Sequence, residues 1–142
     1  MITRAIENCF RHAHQKNWPK TYWAFDIHGT ILKPNYTRDE ISREFYPNAK
    51  EVMQHLSKRD DIVRILYTCS YPIEIEQYIA YFKEHDIHFD YINQNPDVTD
   101  GGYGYYKDKF YFNVLMDDKA GFDGEGDWKL ILDLLQREEL GV

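Results

Sequence analysis

A chain of 142 residues with a formal charge of −7 is long enough to bury one sizeable core and too acidic to hold a nucleic-acid backbone by charge alone. Its hydrophobic share of 43% and charged share of 29% are those of an ordinary globular domain, no apolar run approaches the roughly 18 residues of a membrane span, and the N-terminus carries no signal-peptide core. With only Cys9 and Cys69 a disulfide framework is not expected, and a cytoplasmic location is.

Apolar residues at the spacing i, i+3, i+4, i+7 predict four amphipathic helices, with short apolar runs of strand length between them. Ile2, Ala5, Ile6 and Cys9 mark the first helix. Residues 22–25 read as a buried strand that ends at Asp26, followed by His28, Gly29 and Thr30. A polar loop over 33–47 leads to the second helix, marked by Ala49, Val52, Met53 and Leu56. The next strand, 62–67, runs into Thr68, Cys69 and Ser70. Ile75, Tyr78, Ile79 and Phe82 mark the third helix, with Pro72 suited to its first turn. A strand over 88–92 precedes a long loop, 93–108, which carries Gly101, Gly102 and Gly104 among Tyr103, Tyr105 and Tyr106. The last strand, 110–116, ends at Asp117 and Asp118. Trp128, Ile131, Leu132 and Leu135 form the fourth helix, with Asp127 placed to cap it.

Strands alternating with helices predict an α/β fold: one three-layer, Rossmann-like domain whose mainly parallel sheet carries helices on both faces. Residues 21–142 form its core. Residues 1–20 form an N-terminal helical extension, a candidate surface for pairing with a second copy of the chain.

In such a sheet the carboxyl ends of the strands lie along one edge, where α/β folds bind ligands. Asp26, Thr68, Asp117 and Asp118 therefore converge although they are remote in sequence. Paired carboxylates repel unless a cation sits between them. Mg²⁺ takes one or two carboxylates together with water and phosphate oxygens. Lys109 stands eight positions before Asp117 and reaches the same edge only if the preceding loop folds over it. A nucleophilic carboxylate, a hydroxyl, a lysine and two further carboxylates together suit Mg²⁺-assisted phosphoryl transfer through an aspartyl-phosphate. The loop over 93–108 is expected to border this site and to lay its tyrosines on a planar or sugar group of the substrate.

The order Asp-x-x-Gly-Thr, strand-Thr, Lys, strand-Asp-Asp resembles the haloacid dehalogenase-like superfamily of phosphohydrolases, from about residue 22 to the C-terminus. The stretch 109–120, Lys-Phe-Tyr-Phe-Asn-Val-Leu-Met-Asp-Asp-Lys-Ala, and the pair Asp127-Trp128 are similar to its small members. The resemblance implies that Asp26 is the nucleophile and a metal ligand, and that Thr68 binds phosphate, with Cys69, Gly29 and Thr30 beside it. It implies that Lys109 steadies nucleophile and phosphate. Asp26, Asp117, Asp118 and the backbone carbonyl of His28 then hold Mg²⁺. Too little chain separates these motifs for a lid, so a capless form with an open site is expected, admitting a small phosphorylated substrate such as a nucleotide or sugar phosphate.

His28 departs from the pattern, which has Asp there as general acid and base. A nearby Mg²⁺ disfavours the imidazolium, which makes His28 a poor acid toward an alkoxide and a serviceable base toward water. The expected activity is phosphomonoester hydrolysis biased toward activated esters. The alternative is a phosphate- or nucleotide-binding protein without turnover.

Overall fold

The computed structural model describes residues 1–37, 39–99 and 104–141. The apolar run after residue 20 becomes the central strand, β1 (Thr21–Phe25), because both of its faces are covered. It pairs in parallel with β2 (Ile62–Leu66) on one side and with β4 (Val114–Met116) on the other. β3 (Tyr91–Ile92) extends the sheet beyond β2, giving the all-parallel order β3-β2-β1-β4. The four helices fall on the four apolar stripes: α1 (Ile2–Lys16), α2 (Ala49–Leu56), α3 (Pro72–Glu84) and α4 (Asp127–Glu139). Pro72 opens α3 as its first helical residue. Asp127 is likewise the first residue of α4 rather than its cap, which is Gly126; its carboxylate instead accepts the Asp123 N–H at 2.8 Å and closes the preceding turn.

One set of strand positions, including Trp23, Phe25, Leu66 and Met116, joins apolar residues from all four helices in a single core cluster. The alternate positions Ala24, Val63 and Ile65 are equally buried but lie outside that cluster. On their side Tyr22 meets Tyr111 at 6.0 Å and Tyr67 meets Phe110 at 5.8 Å between ring centroids. Where the alternation of elements predicts helical cover, this side is covered by the aromatic segment that precedes β4. The topology explains it: β3 and β4 are opposite edges, so the chain between them must cross the sheet. Of the loop expected there, Gly101, Gly102 and Tyr103 lie outside the described residues.

The two edge strands are shorter than the apolar runs because side chains take over ladder hydrogen bonds. Asp90 Oδ2 accepts the Arg64 N–H at 2.9 Å, so pairing of β3 begins only at Tyr91. Asn113 Oδ1 accepts the Tyr22 N–H at 2.8 Å, and β4 begins at Val114. Arg64, in the middle of β2, is buried and acts as a staple. Its Nη1 donates to the carbonyls of Leu56, Arg59 and Ile62, and its Nε to that of His88. The end of α2 and the approach to β3 are thereby tied to the central sheet.

The N-terminal helix belongs to this same core. Ile6 and Cys9 are buried in the cluster, and Phe10 packs on Trp23 at 5.8 Å. Its apolar stripe is therefore spent within the chain. Among the described residues no helix is long and apolar enough to cross a membrane, and no cap domain is evident.

Candidate functional site

Backbone register sets the site. Phe25 is the partner of Met116, and the Asp26 N–H donates to the Met116 carbonyl at 2.9 Å. The first carboxylate after β1 thus stands beside the first two after β4. One carboxylate oxygen from each of Asp26, Asp117 and Asp118 lies within 4.8 Å of the others. Asp117 also accepts the Lys119 N–H at 2.9 Å, capping the short 3₁₀ turn Asp118–Ala120.

The turn after Asp26 is built to admit Asp118. Gly29 has φ +81°, and a Cβ there would stand 2.6 Å from Asp118 Oδ2, so glycine is needed for both backbone and space. Thr30 is fully buried. Its hydroxyl donates to Asp26 Oδ2 at 3.3 Å and accepts the Asp118 N–H at 3.0 Å, while its carbonyl accepts from Trp128 Nε1 at 2.8 Å. The structure thus places Thr30 as a clip between the two acidic loops rather than as a phosphate contact. The Gly29 N–H is likewise committed, to the Leu32 carbonyl at 2.9 Å.

Three carboxylates so close cannot all ionise at ordinary cost. Burial, the Asp117 charge and a hydrogen bond shared with Asp118 push the Asp26 carboxyl up from 3.8 to about 7. The donor set is all oxygen, the preference of a hard cation, and its members lie within 4.8 Å of one another, so the residues fit Mg²⁺.

The carboxylates line a cavity of about 510 Å³ shared with His28, Pro34, Tyr36, Tyr67, Thr68, Cys69 and Lys119. Thr68 is held by Asn93 through two bonds: its N–H donates to Asn93 Oδ1, and Asn93 Nδ2 donates to its carbonyl, both at 2.9 Å. The Thr68 and Ser70 hydroxyls are hydrogen-bonded to each other at 2.8 Å. Cys69 is exposed in the same cavity. The lysine differs from expectation. Exposed Lys109 lines a separate cavity of about 350 Å³ with Asn93, Gln94 and Phe110, because the segment before β4 turns where Phe110 packs on Tyr67. Lys119 is the one lysine or arginine among the described residues lining the acidic cavity.

His28 Nε2 lies 2.6 Å from the hydroxyl of Tyr78, which is almost fully buried and already accepts the Ser42 N–H at 2.9 Å. Tyr78 has no other acceptor among the described residues, so the geometry suits the tautomer in which its proton is donated to Nε2 and the His28 proton is on Nδ1. Burial lowers the imidazole pKa below its ordinary value, with Glu74 opposing. Protonating Nε2 would strand the Tyr78 proton in the core. Through this contact the ring ties the loop after β1 to α3.

Sequence reasoning missed Asn93, Tyr78 and Tyr36. Asn93 had a readable signal, since an Asn just past an apolar run suits the left-handed conformation found there, φ 53°. Tyr78 was placed correctly in the core, and its partner across 50 residues left no local trace.

No protein-family model matches the chain, and no curated protein does. A solved structure described as the conserved protein coded by a locus from Bacteroides thetaiotaomicron is similar in fold, with a TM-score of 0.63 over 84% of this chain and 92% of that one, at 21% sequence identity. That likeness is one of fold, the Rossmann-like α/β architecture described above.

Proposed function

We propose that the protein is a capless phosphomonoesterase of the haloacid dehalogenase type, working through an aspartyl-phosphate on Asp26 with Mg²⁺ as cofactor. The observation that carries this reading is the convergence of Asp26, Asp117 and Asp118 oxygens within 4.8 Å at the carboxyl edge of a parallel sheet. Asp26, Asp117, Asp118 and the His28 carbonyl would hold the ion, whose chemistry is to neutralise phosphoryl charge. Asp26 attacks phosphorus with a carboxylate oxygen, and the bond from phosphorus to the ester oxygen breaks. The departing oxygen takes its proton from solvent, because a neutral imidazole at His28 is too weak an acid to supply it. Water then attacks the acyl phosphate, releasing phosphate and a proton and restoring the carboxylate. Thr68 and Lys119 supply a hydroxyl and a positive charge at the same cavity.

The tether on His28 also favours a second reading, in which phosphate esters bind and turnover is slow or absent. Phosphate release from a panel of esters, with and without Mg²⁺, separates the two. Mg²⁺-dependent release that disappears in Asp26→Asn supports the hydrolase. Tight Mg²⁺-dependent binding without release supports the binding protein.

A further inference from the structure

Resting on the reading of this cavity as a phosphomonoester site, we infer that its ligand is a nucleoside monophosphate whose uncharged base stacks on Tyr36 and Tyr67. A cavity of about 510 Å³ falls in the range that encloses a drug-sized ligand, well beyond a phosphoryl group and one ion. Its lining divides into two chemistries. Asp26, Asp117, Asp118 and Lys119 form an ionic part, while Pro34, Tyr36 and Tyr67 offer apolar faces.

Tyr36 is held out deliberately. Its side chain is 93% exposed and its φ is 56°, a conformation uncommon for a bulky residue and costly to maintain. Asn35 fixes it: Oδ1 accepts the Thr37 N–H at 3.1 Å, and Nδ2 donates to the carbonyls of Glu40 and Ile41 at 3.1 and 3.0 Å. Ile41 is buried in the core, so the loop is anchored. A strained, anchored, solvent-facing ring at the cavity suits a planar ligand. Tyr67 is 42% exposed and is supported edge-on by Phe110.

Charge selects among phosphorylated ligands. The described lining carries three carboxylates against Lys119, and a divalent ion brings it to neutrality before any phosphoryl group enters. A second anionic group, as on a sugar bisphosphate or nucleoside triphosphate, would find no further cation in this cavity. A neutral base needs none, and base–aromatic stacking is favourable for any base.

The test compares adenosine 5′-monophosphate with ribose 5-phosphate, which share one leaving oxygen and differ by the base. With Mg²⁺ present, the ratio of their kcat/KM values is expected to favour the nucleotide by roughly 5- to 100-fold. Tyr36→Ala should collapse that ratio toward unity, and Tyr36→Phe, which keeps the ring, should preserve it. If neither ester is turned over, the same ratio is read from dissociation constants; that lack of turnover counts against the hydrolase reading alone. Equal values for the two esters, a ratio that survives in Tyr36→Ala, or failure to bind the nucleotide would each overturn the inference.

Discussion

Replacing Asp26 by Asn removes the charge of the site while keeping its shape. Asn retains an oxygen to accept from the Thr30 hydroxyl, now bonded to Asp26 Oδ2 at 3.3 Å. Asp26 is held at about 7 against its ordinary 3.8. The folded protein therefore binds more protons than the unfolded chain between these values. The Asp26 contribution to metal-free stability is highest below about pH 4 and falls as pH rises toward 7, levelling off above it. The full displacement corresponds to ~4 kcal/mol, and the open side of the cavity screens it to about half, ~2 kcal/mol. Without metal at pH 8, Asp26→Asn should thus unfold at a Tm roughly 4–8 °C above wild type. The slope between pH 4 and 7 should shrink with it. Mg²⁺ should raise the Tm of wild type by binding the native state and leave the variant nearly unmoved. Denaturation scans across pH, with and without Mg²⁺, read all three effects. A variant less stable than wild type at pH 8 without metal, or one stabilised equally by Mg²⁺, would refute the reasoning.

Gly29→Ala forces a methyl group to 2.6 Å from Asp118 Oδ2 at φ +81°; it should cost about 1–3 kcal/mol and abolish the Mg²⁺-induced rise in Tm, and an unchanged rise would show that Asp118 is not a ligand. Arg64→Met removes the donors to four carbonyls and should lower unfolding stability by about 3–5 kcal/mol in a urea titration, whereas a loss under about 1 kcal/mol would mean that water replaces the guanidinium. His28→Asp places a carboxyl where general-acid catalysis typically contributes ~10²–10⁴-fold, so alkyl phosphates should be hydrolysed faster while Tyr78 loses its acceptor and the fold loses about 1–3 kcal/mol. Efficient hydrolysis of sugar phosphates by wild type that His28→Asp destroys would identify His28 as a working acid and base.

The parts of this structure legible in the sequence are those governed by local period. Each helix lies on a stripe such as Trp128, Ile131, Leu135 because one buried face repeats every turn. Asp26, Thr68, Asp117 and Asp118 share a cavity because parallel strands bring their carboxyl ends together. What stayed hidden depends on partners remote in sequence. Nothing local marks Asp90 or Asn113 as taking backbone bonds from neighbouring strands, so both edge strands read too long. Lys109 keeps the spacing of a familiar pattern, yet Phe110 packing on Tyr67 leaves it in the neighbouring cavity. Thr30 reads as part of the phosphate-binding group beside Thr68, and only Asp118 and Trp128, 88 and 98 residues away, reveal it as a clip.

The claim that Asp26 becomes phosphorylated is tested most directly by trapping the acyl phosphate. Wild-type protein mixed with Mg²⁺ and an aryl phosphate, then quenched in acid, should carry one phosphoryl group on the peptide containing Asp26, and hydroxylamine should remove it. Because His28 is tethered through Nε2 to Tyr78, hydrolysis of this intermediate should be slow enough for it to accumulate. Asp26→Asn should show neither the adduct nor phosphate release. Phosphate released at the wild-type rate by Asp26→Asn, or a phosphoryl group found on a different residue, would contradict the account.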